Sequence, residues 1–312
     1  MTNLGNGAWP VVPAAFTNAG EPDRDAQRAV NEWYLSKGVP GLFAVSLSGE
    51  MYQLNETERL AQARWAVEDA AGRIPVVAGA LPEGVADGDD PTVATIDAIQ
   101  RTAETGVTSV VLISSLLVMP EDGDEVLTER LHRIIDATTV DLGLYECPIP
   151  YKRVLADEHL RLMASSDRFT FVKDTSHDVA VLARKAELTR GSRVRVYNAQ
   201  AHSVVQSVHD GGHGFSGWVG NILPGLMGWL VEHAHDDDPQ VLRVQRALSV
   251  AEAALGSNYP SSAKWTLREC FGVPILDVSR MSPNANLTPH TTQPLRDLIA
   301  LLAEADLLEL QP

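Results

Sequence analysis

Short, nearly unbroken apolar runs recur along this chain, most of them separated by segments whose apolar positions fall three and four residues apart. The runs cover residues 9–16, 41–46, 74–79, 109–113, 142–147, 169–173, 194–198 and 212–217. Unbroken runs, unlike alternating ones, mark parallel strands buried on both faces. Between them, residues 23–36 place Ala26, Ala29, Val30, Trp33 and Tyr34 on one helical face. Further helices are expected over 55–71, stopped by Gly72, and over 91–105, stopped by Gly106. Others are expected over 125–137, 157–165 and 179–189. Eight such repeats in roughly 230 residues suit an α/β (β/α)₈ TIM barrel, a fold of typically ~250 residues. A doubly wound sheet shares the local pattern, but no break divides the repeats, so the barrel is expected. It occupies residues 1–237, and a C-terminal helical extension, with helices at 241–255, 262–271 and 292–307, occupies 238–312.

Composition narrows the function. Apolar residues make up 45% of the 312 positions and charged residues 21%, as in a globular protein. The net charge of −16 argues against a nucleic-acid groove or an anionic membrane surface as partner. No run approaches the ~18 apolar residues of a membrane helix; the best candidate, residues 218–231, is interrupted by glycines, a proline and an asparagine. The amino terminus has no basic or apolar leader, and Cys147 and Cys270 form no CxxC pair. A cytoplasmic location with free thiols is expected.

Against this background Lys173 stands out, at the end of the strand-like run Phe169-Thr-Phe-Val-Lys173. An ammonium in a strand interior must be desolvated or escape to solvent. Desolvation disfavours the charged form, and a neutral amine condenses with carbonyls to a Schiff base. Taken alone, the run is better served by a lysine reaching out to solvent. Ser46-Leu-Ser-Gly-Glu50 follows the second strand, on the face where barrel loops build sites, and its hydroxyls and amides suit a carboxylate. Tyr145 ends the fifth strand as a candidate proton shuttle, followed by Glu146. Lys152 and Arg153 are close enough in sequence to meet an acidic substrate group, but charges opening a helix are more often solvated. Gly212-His-Gly-Phe-Ser-Gly217 fits GxGxxG by letter, yet the preceding residues read as helix, so no dinucleotide site is expected. The histidines are scattered without an HExxH pair, and neither a metal nor a cofactor is expected.

In order and spacing these segments resemble the dihydrodipicolinate synthase and N-acetylneuraminate lyase family of class I aldolases. Residues 46–50 resemble its GTTGE or GSTGE loop, Leu144-Tyr-Glu-Cys-Pro148 its LYNVP segment, and Val172-Lys-Asp-Thr-Ser176 its IKDSS or IKEAT segment. Gly72-Arg-Ile-Pro-Val-Val-Ala-Gly79, Gly211-Gly-His-Gly214 and Tyr259-Pro-Ser-Ser-Ala-Lys264 also match. The resemblance implies a homo-oligomeric barrel, usually a tetramer, in which Lys173 forms an iminium with pyruvate or another 2-oxo acid. It implies that Tyr145 shuttles the proton and that Ser48 and the Gly49 amide hold the carboxylate, with Ser46, Leu47 and Glu146 beside them.

The chain also departs from the family pattern. Leu47 stands where the family's relay threonine does, Leu112-Ile-Ser-Ser-Leu-Leu-Val118 replaces a TPYY segment, and the arginine that clamps a second carboxylate falls on Pro150. These departures argue against 4-hydroxy-tetrahydrodipicolinate synthesis, which stays the alternative together with a catalytically degenerate 2-oxo-acid-binding barrel. The leading expectation is a Schiff-base lyase, by aldol cleavage or dehydration.

Overall fold

The computed structural model describes residues 4–86, 88–283 and 285–310. Eight parallel strands form one sheet: β1 (Gly7–Ala8), β2 (Leu42–Ala44), β3 (Val76–Gly79), β4 (Ser109–Ile113), β5 (Leu142–Tyr145), β6 (Phe169–Asp174), β7 (Arg195–Asn198) and β8 (Gly214–Phe215). The order β1-β8-β7-β6-β5-β4-β3-β2 leaves β1 and β2 to meet, and they do so at a parallel bridge between Val11 and Phe43. Val12 N donates to Phe43 O (3.0 Å) and Phe43 N to Pro10 O (3.0 Å), which closes the barrel.

The first strand departs from its expected range. It begins before Trp9 and reduces to a bridge thereafter, because Pro10 and Pro13 have no N–H to give a ladder. The GxGxxG segment is led into by a short 3₁₀ turn (Ala201–Ser203) and a helix, as expected from sequence. Its Gly214 serves a neighbouring strand: with φ at +141°, it lies so close to β1 that a Cβ would meet Gly7 O at 2.1 Å.

The barrel interior is packed rather than hollow. Trp9, Phe43 and Tyr197 surround Phe171, with ring centroids 5.5, 5.4 and 4.8 Å from it. Around the sheet run α1 (Arg24–Ser36), α2 (Glu56–Ala70), α3 (Thr92–Ala103), α4 (Asp124–Ala137), α5 (Asp157–Ser165), α6 (Val179–Leu188), α7 (Val204–His209) and α8 (Pro224–Glu232). Asp23 caps α1 through the amides of Asp25 and Ala26, and Asn55 and Glu58 form a capping box on α2. The last of these helices, α8, overlaps the apolar stretch 218–231 and is buried over most of its length. No helix among the described residues is long and apolar enough to cross a membrane.

Three further helices follow: α9 (Pro239–Leu255), α10 (Ser261–Phe271) and α11 (Pro289–Glu304). Their Val244, Leu248, Leu255, Leu267 and Leu295 belong to the same continuous core as the barrel. A buried polar lock draws this region over the barrel mouth. Glu50 Oε1 accepts from Lys264 Nζ (2.6 Å), while Oε2 accepts from the Ser279 hydroxyl (3.0 Å) and the amides of Arg280 (2.6 Å) and Met281 (2.8 Å). The turn after β2 and the C-terminal segment are thereby held together at the end where the strands point.

Candidate active site

Strands β5 and β6 pair so that Tyr145 lies beside Lys173. Side chains alternate across a strand, so the next residues, Glu146 and Asp174, must face the opposite way. The inward pair meets in the barrel mouth. Lys173 is 4% exposed, and its Nζ sits 4.5 Å from the Tyr145 ring centroid and 5.7 Å from that of Phe43. No carboxylate among the described residues forms an ion pair with it. Burial pulls its pKa from 10.5 down to about 7, with only the Cys147 thiol acting weakly in the other direction. Near neutrality roughly half of such a lysine is free amine. Burial pushes the Tyr145 phenol well above its ordinary value, so it stays protonated and able to donate.

The outward pair has a different task. Glu146 is fully buried and accepts from Lys185 Nζ and from the amides of Leu155 (2.8 Å) and Thr175 (3.3 Å). Asp174 takes the other side of the same Lys185 ammonium. Glu146, expected beside the substrate, therefore lies behind the strand and off the cavity wall.

The turn after β2 divides likewise. Leu47 and Ser48 face the cavity. Ser46 is buried beneath them, its Oγ accepting at 3.4 Å from Gly49 N. A Cβ on Gly49 would meet Val12 O at 2.8 Å, so this position admits only glycine. Ser46 and Gly49 thus shape the turn. Ser48 is also in hydrogen-bond contact with Tyr259, whose hydroxyl accepts from Asn221 Nδ2 at 2.8 Å. At the rim, Lys152 is exposed, while Arg153 is committed to Asp124 (2.7 Å) and the Asp122 carbonyl (2.8 Å). Neither lines the cavity.

The cavity has a volume of about 640 Å³. Besides Leu47, Ser48, Tyr145 and Lys173, its walls include Thr175 and His177 after β6, Gln200 and His202 after β7, and Gly217 and Trp218 after β8. The C-terminal region adds Ser249, Glu252, Tyr259 and Met281. The sequence carries no local mark of Glu252, Trp218 or Met281, and it shows Tyr259 only inside a matching segment. Burial raises the Glu252 carboxyl from 4.5 to about 7. A second hollow, of about 690 Å³, lies at the opposite end of the strands around Gly7, Arg195 and His213, away from Lys173. Among the described residues no group of three or more His, Cys, Asp or Glu is placed to hold a metal ion.

Residues 6–302 match the Dihydrodipicolinate synthetase family profile. The chain belongs to the dihydrodipicolinate synthetase family. It is 23% identical to the 4-hydroxy-tetrahydrodipicolinate synthase of Nitrobacter hamburgensis over 93% of this chain and 94% of that one. With the enzyme of the same name from Thermomicrobium roseum it shares 28% over 70% of each chain. Among solved structures, a monomeric dihydrodipicolinate synthase variant superimposes with a TM-score of 0.84 at 22% identity, covering 98% of both chains. YagE of E. coli K12, a member of this family in complex with pyruvate, superimposes with a TM-score of 0.79 at 22% identity, covering 97% of this chain and 99% of that one. These superpositions establish the dihydrodipicolinate synthetase barrel as the fold.

Proposed function

We propose that this chain is a Schiff-base lyase that acts on pyruvate or a sugar-derived 2-oxo acid through Lys173. The observation that carries this reading is an unpaired, buried lysine beside Tyr145 in a cavity large enough for a substrate. The free amine attacks the 2-oxo carbon and water leaves, forming an iminium. The iminium then draws the electrons of the neighbouring C–C or C–H bond into an enamine, which makes aldol cleavage or dehydration feasible. Tyr145 supplies or removes the proton, and Ser48 accommodates the substrate carboxylate.

The cavity wall favours lyase chemistry over tetrahydrodipicolinate synthesis. Among the described residues it contains no arginine, and Leu47 has no hydroxyl. The unpaired lysine favours an enzyme over a barrel that only binds. We further assign residues 1–237 to the barrel and 238–312 to a helical appendage that completes the mouth, and we place the protein in the cytoplasm as a homo-oligomer.

Reduction with borohydride in the presence of pyruvate and a panel of sugar-derived 2-oxo acids tests the reading. The expected result is a stable mass increase on Lys173, with turnover of at least one panel member. No adduct with any 2-oxo acid overturns it. Adduct without turnover leaves the binding-only barrel, and efficient condensation of pyruvate with aspartate semialdehyde establishes the synthase.

A further inference from the structure

The hollow of about 690 Å³ at the amino-terminal end of the strands contains a cation without a partner. Arg195 opens β7, and strand alternation sets it on the same inward face as Tyr197. It lines the hollow and is only partly exposed, yet it forms no hydrogen bond or ion pair among the described residues. Every other described arginine that is not exposed is held by a carboxylate or a backbone carbonyl. The Arg195 Nε is buried without a partner, whereas its two terminal nitrogens, equally unpartnered, remain accessible. A guanidinium drawn this far from water is normally paired. Two further features shape the hollow. His213, just before β8, accepts the Val196 amide on Nδ1 at 3.1 Å. Its ring hydrogen therefore sits on Nε2, an accessible donor on the same wall with no partner among the described residues. Gly228 lies inside α8 on the wall of the hollow, and a Cβ there would meet nothing within 4 Å. Glycine weakens a helix interior, and no neighbour requires it here, so what it preserves is the space of the hollow.

We propose that this hollow is a second binding site, for a small organic acid whose carboxylate is taken by Arg195 and His213. The site is separate from the Lys173 cavity and does not depend on the Schiff-base reading. A guanidinium fork fits the two oxygens of a carboxylate, and the His213 Nε2–H adds a neutral donor. Val208, Trp229 and Val231 give part of the wall an apolar surface, which suits the body of an organic acid over inorganic phosphate. Glu232, exposed on the same wall, opposes a second anionic group, so a monocarboxylate is favoured over a dicarboxylate.

Calorimetric titration of the full chain at low ionic strength with benzoate, acetate and inorganic phosphate tests the proposal. Benzoate is expected to bind at one site, more tightly than acetate or phosphate. Arg195→Met should weaken it about 10- to 100-fold, the range of one hydrogen bond to a charged group, and Arg195→Lys should keep part of the affinity. Gly228→Leu, which adds a side chain to the hollow and leaves Arg195 in place, should weaken benzoate at least about tenfold. Lys173→Met should leave it unchanged, because the two cavities lie at opposite ends of the strands. Thermal unfolding identifies a variant that fails to fold, and the other then carries the test. No benzoate binding by the wild type, or binding that survives in either folded variant, overturns the proposal. Loss of binding in Lys173→Met locates the acid in the catalytic cavity and overturns it as well. Phosphate bound as tightly as benzoate overturns the organic-acid class.

Discussion

Lys173 and Lys185 are both buried, at 4% and 1% exposure, and both approach the same two strands, yet their surroundings are opposite. Lys185 comes from α6 to the outer face of the sheet and lies between the carboxylates of Glu146 and Asp174. Lys173 lies on the inner face against two aromatic rings, with no counterion among the described residues. The carboxylates that neutralise Lys185 are the chain neighbours of Tyr145 and Lys173, turned outward by the alternation of the strand. A buried ammonium with two acids is structural cement. One without an acid becomes a reagent, because it escapes the desolvation cost only by giving up its proton. One pair of adjacent strands therefore builds a charged joint on one side and a nucleophile on the other.

The sharpest way to break this comparison is to remove each lysine. Lys173→Met should abolish adduct formation and lower turnover by at least ~1,000-fold, as loss of a covalent nucleophile does. It should also stabilise the fold. The wild-type lysine is charged when unfolded and largely neutral when folded between pH 7 and 10.5, so wild-type stability rises with pH across that window. The variant's advantage, roughly 2–5 kcal/mol, should be greatest below pH 7 and fade towards pH 10.5. Tyr145→Phe should lower turnover by about 100- to 10,000-fold while leaving the Lys173 adduct detectable by mass.

Lys185→Met should do the reverse of Lys173→Met. It leaves Glu146 and Asp174 buried without a cation, at a cost of about 3–5 kcal/mol in denaturant unfolding. The protein that remains folded should still form the adduct. Loss of the adduct at unchanged stability would show that the outer joint takes part in the chemistry. The smallest effect is expected at the rim: Lys152→Ala should change turnover by less than about twofold, because the residue is exposed and lies off the cavity wall.

Much of this contrast was legible before the structure. The eight strands, most of the surrounding helices and the inward roles of Lys173 and Tyr145 follow from apolar runs, helical spacing and the family resemblance. The outward role of Glu146 was available too, since a residue next to an inward tyrosine on a strand must point the other way. Resemblance to a segment with asparagine at that position instead suggested a substrate contact. Helix α8 was harder to read, because it is apolar all round and shows no amphipathic period. The break in β1 was hidden by treating Pro10 and Pro13 as strand residues. Glu252 and Met281 were out of reach for a different reason. They join the site only because α9, α10 and the Glu50–Lys264 lock fold the C-terminal region over the mouth, and no local pattern encodes that path.

The central claim is that lack of a counterion makes Lys173, among three buried lysines, the reactive one. Peptide mapping of the pyruvate adduct fixed with cyanoborohydride, as initial rates from pH 5 to 9, tests it most directly. The account predicts modification at Lys173, none at Lys185 or Lys264, and a rate that rises with pH to its half-maximum near pH 7. Modification of Lys185 or Lys264, or a Lys173 rate still climbing steeply above pH 9 as for an ordinary lysine, would contradict it.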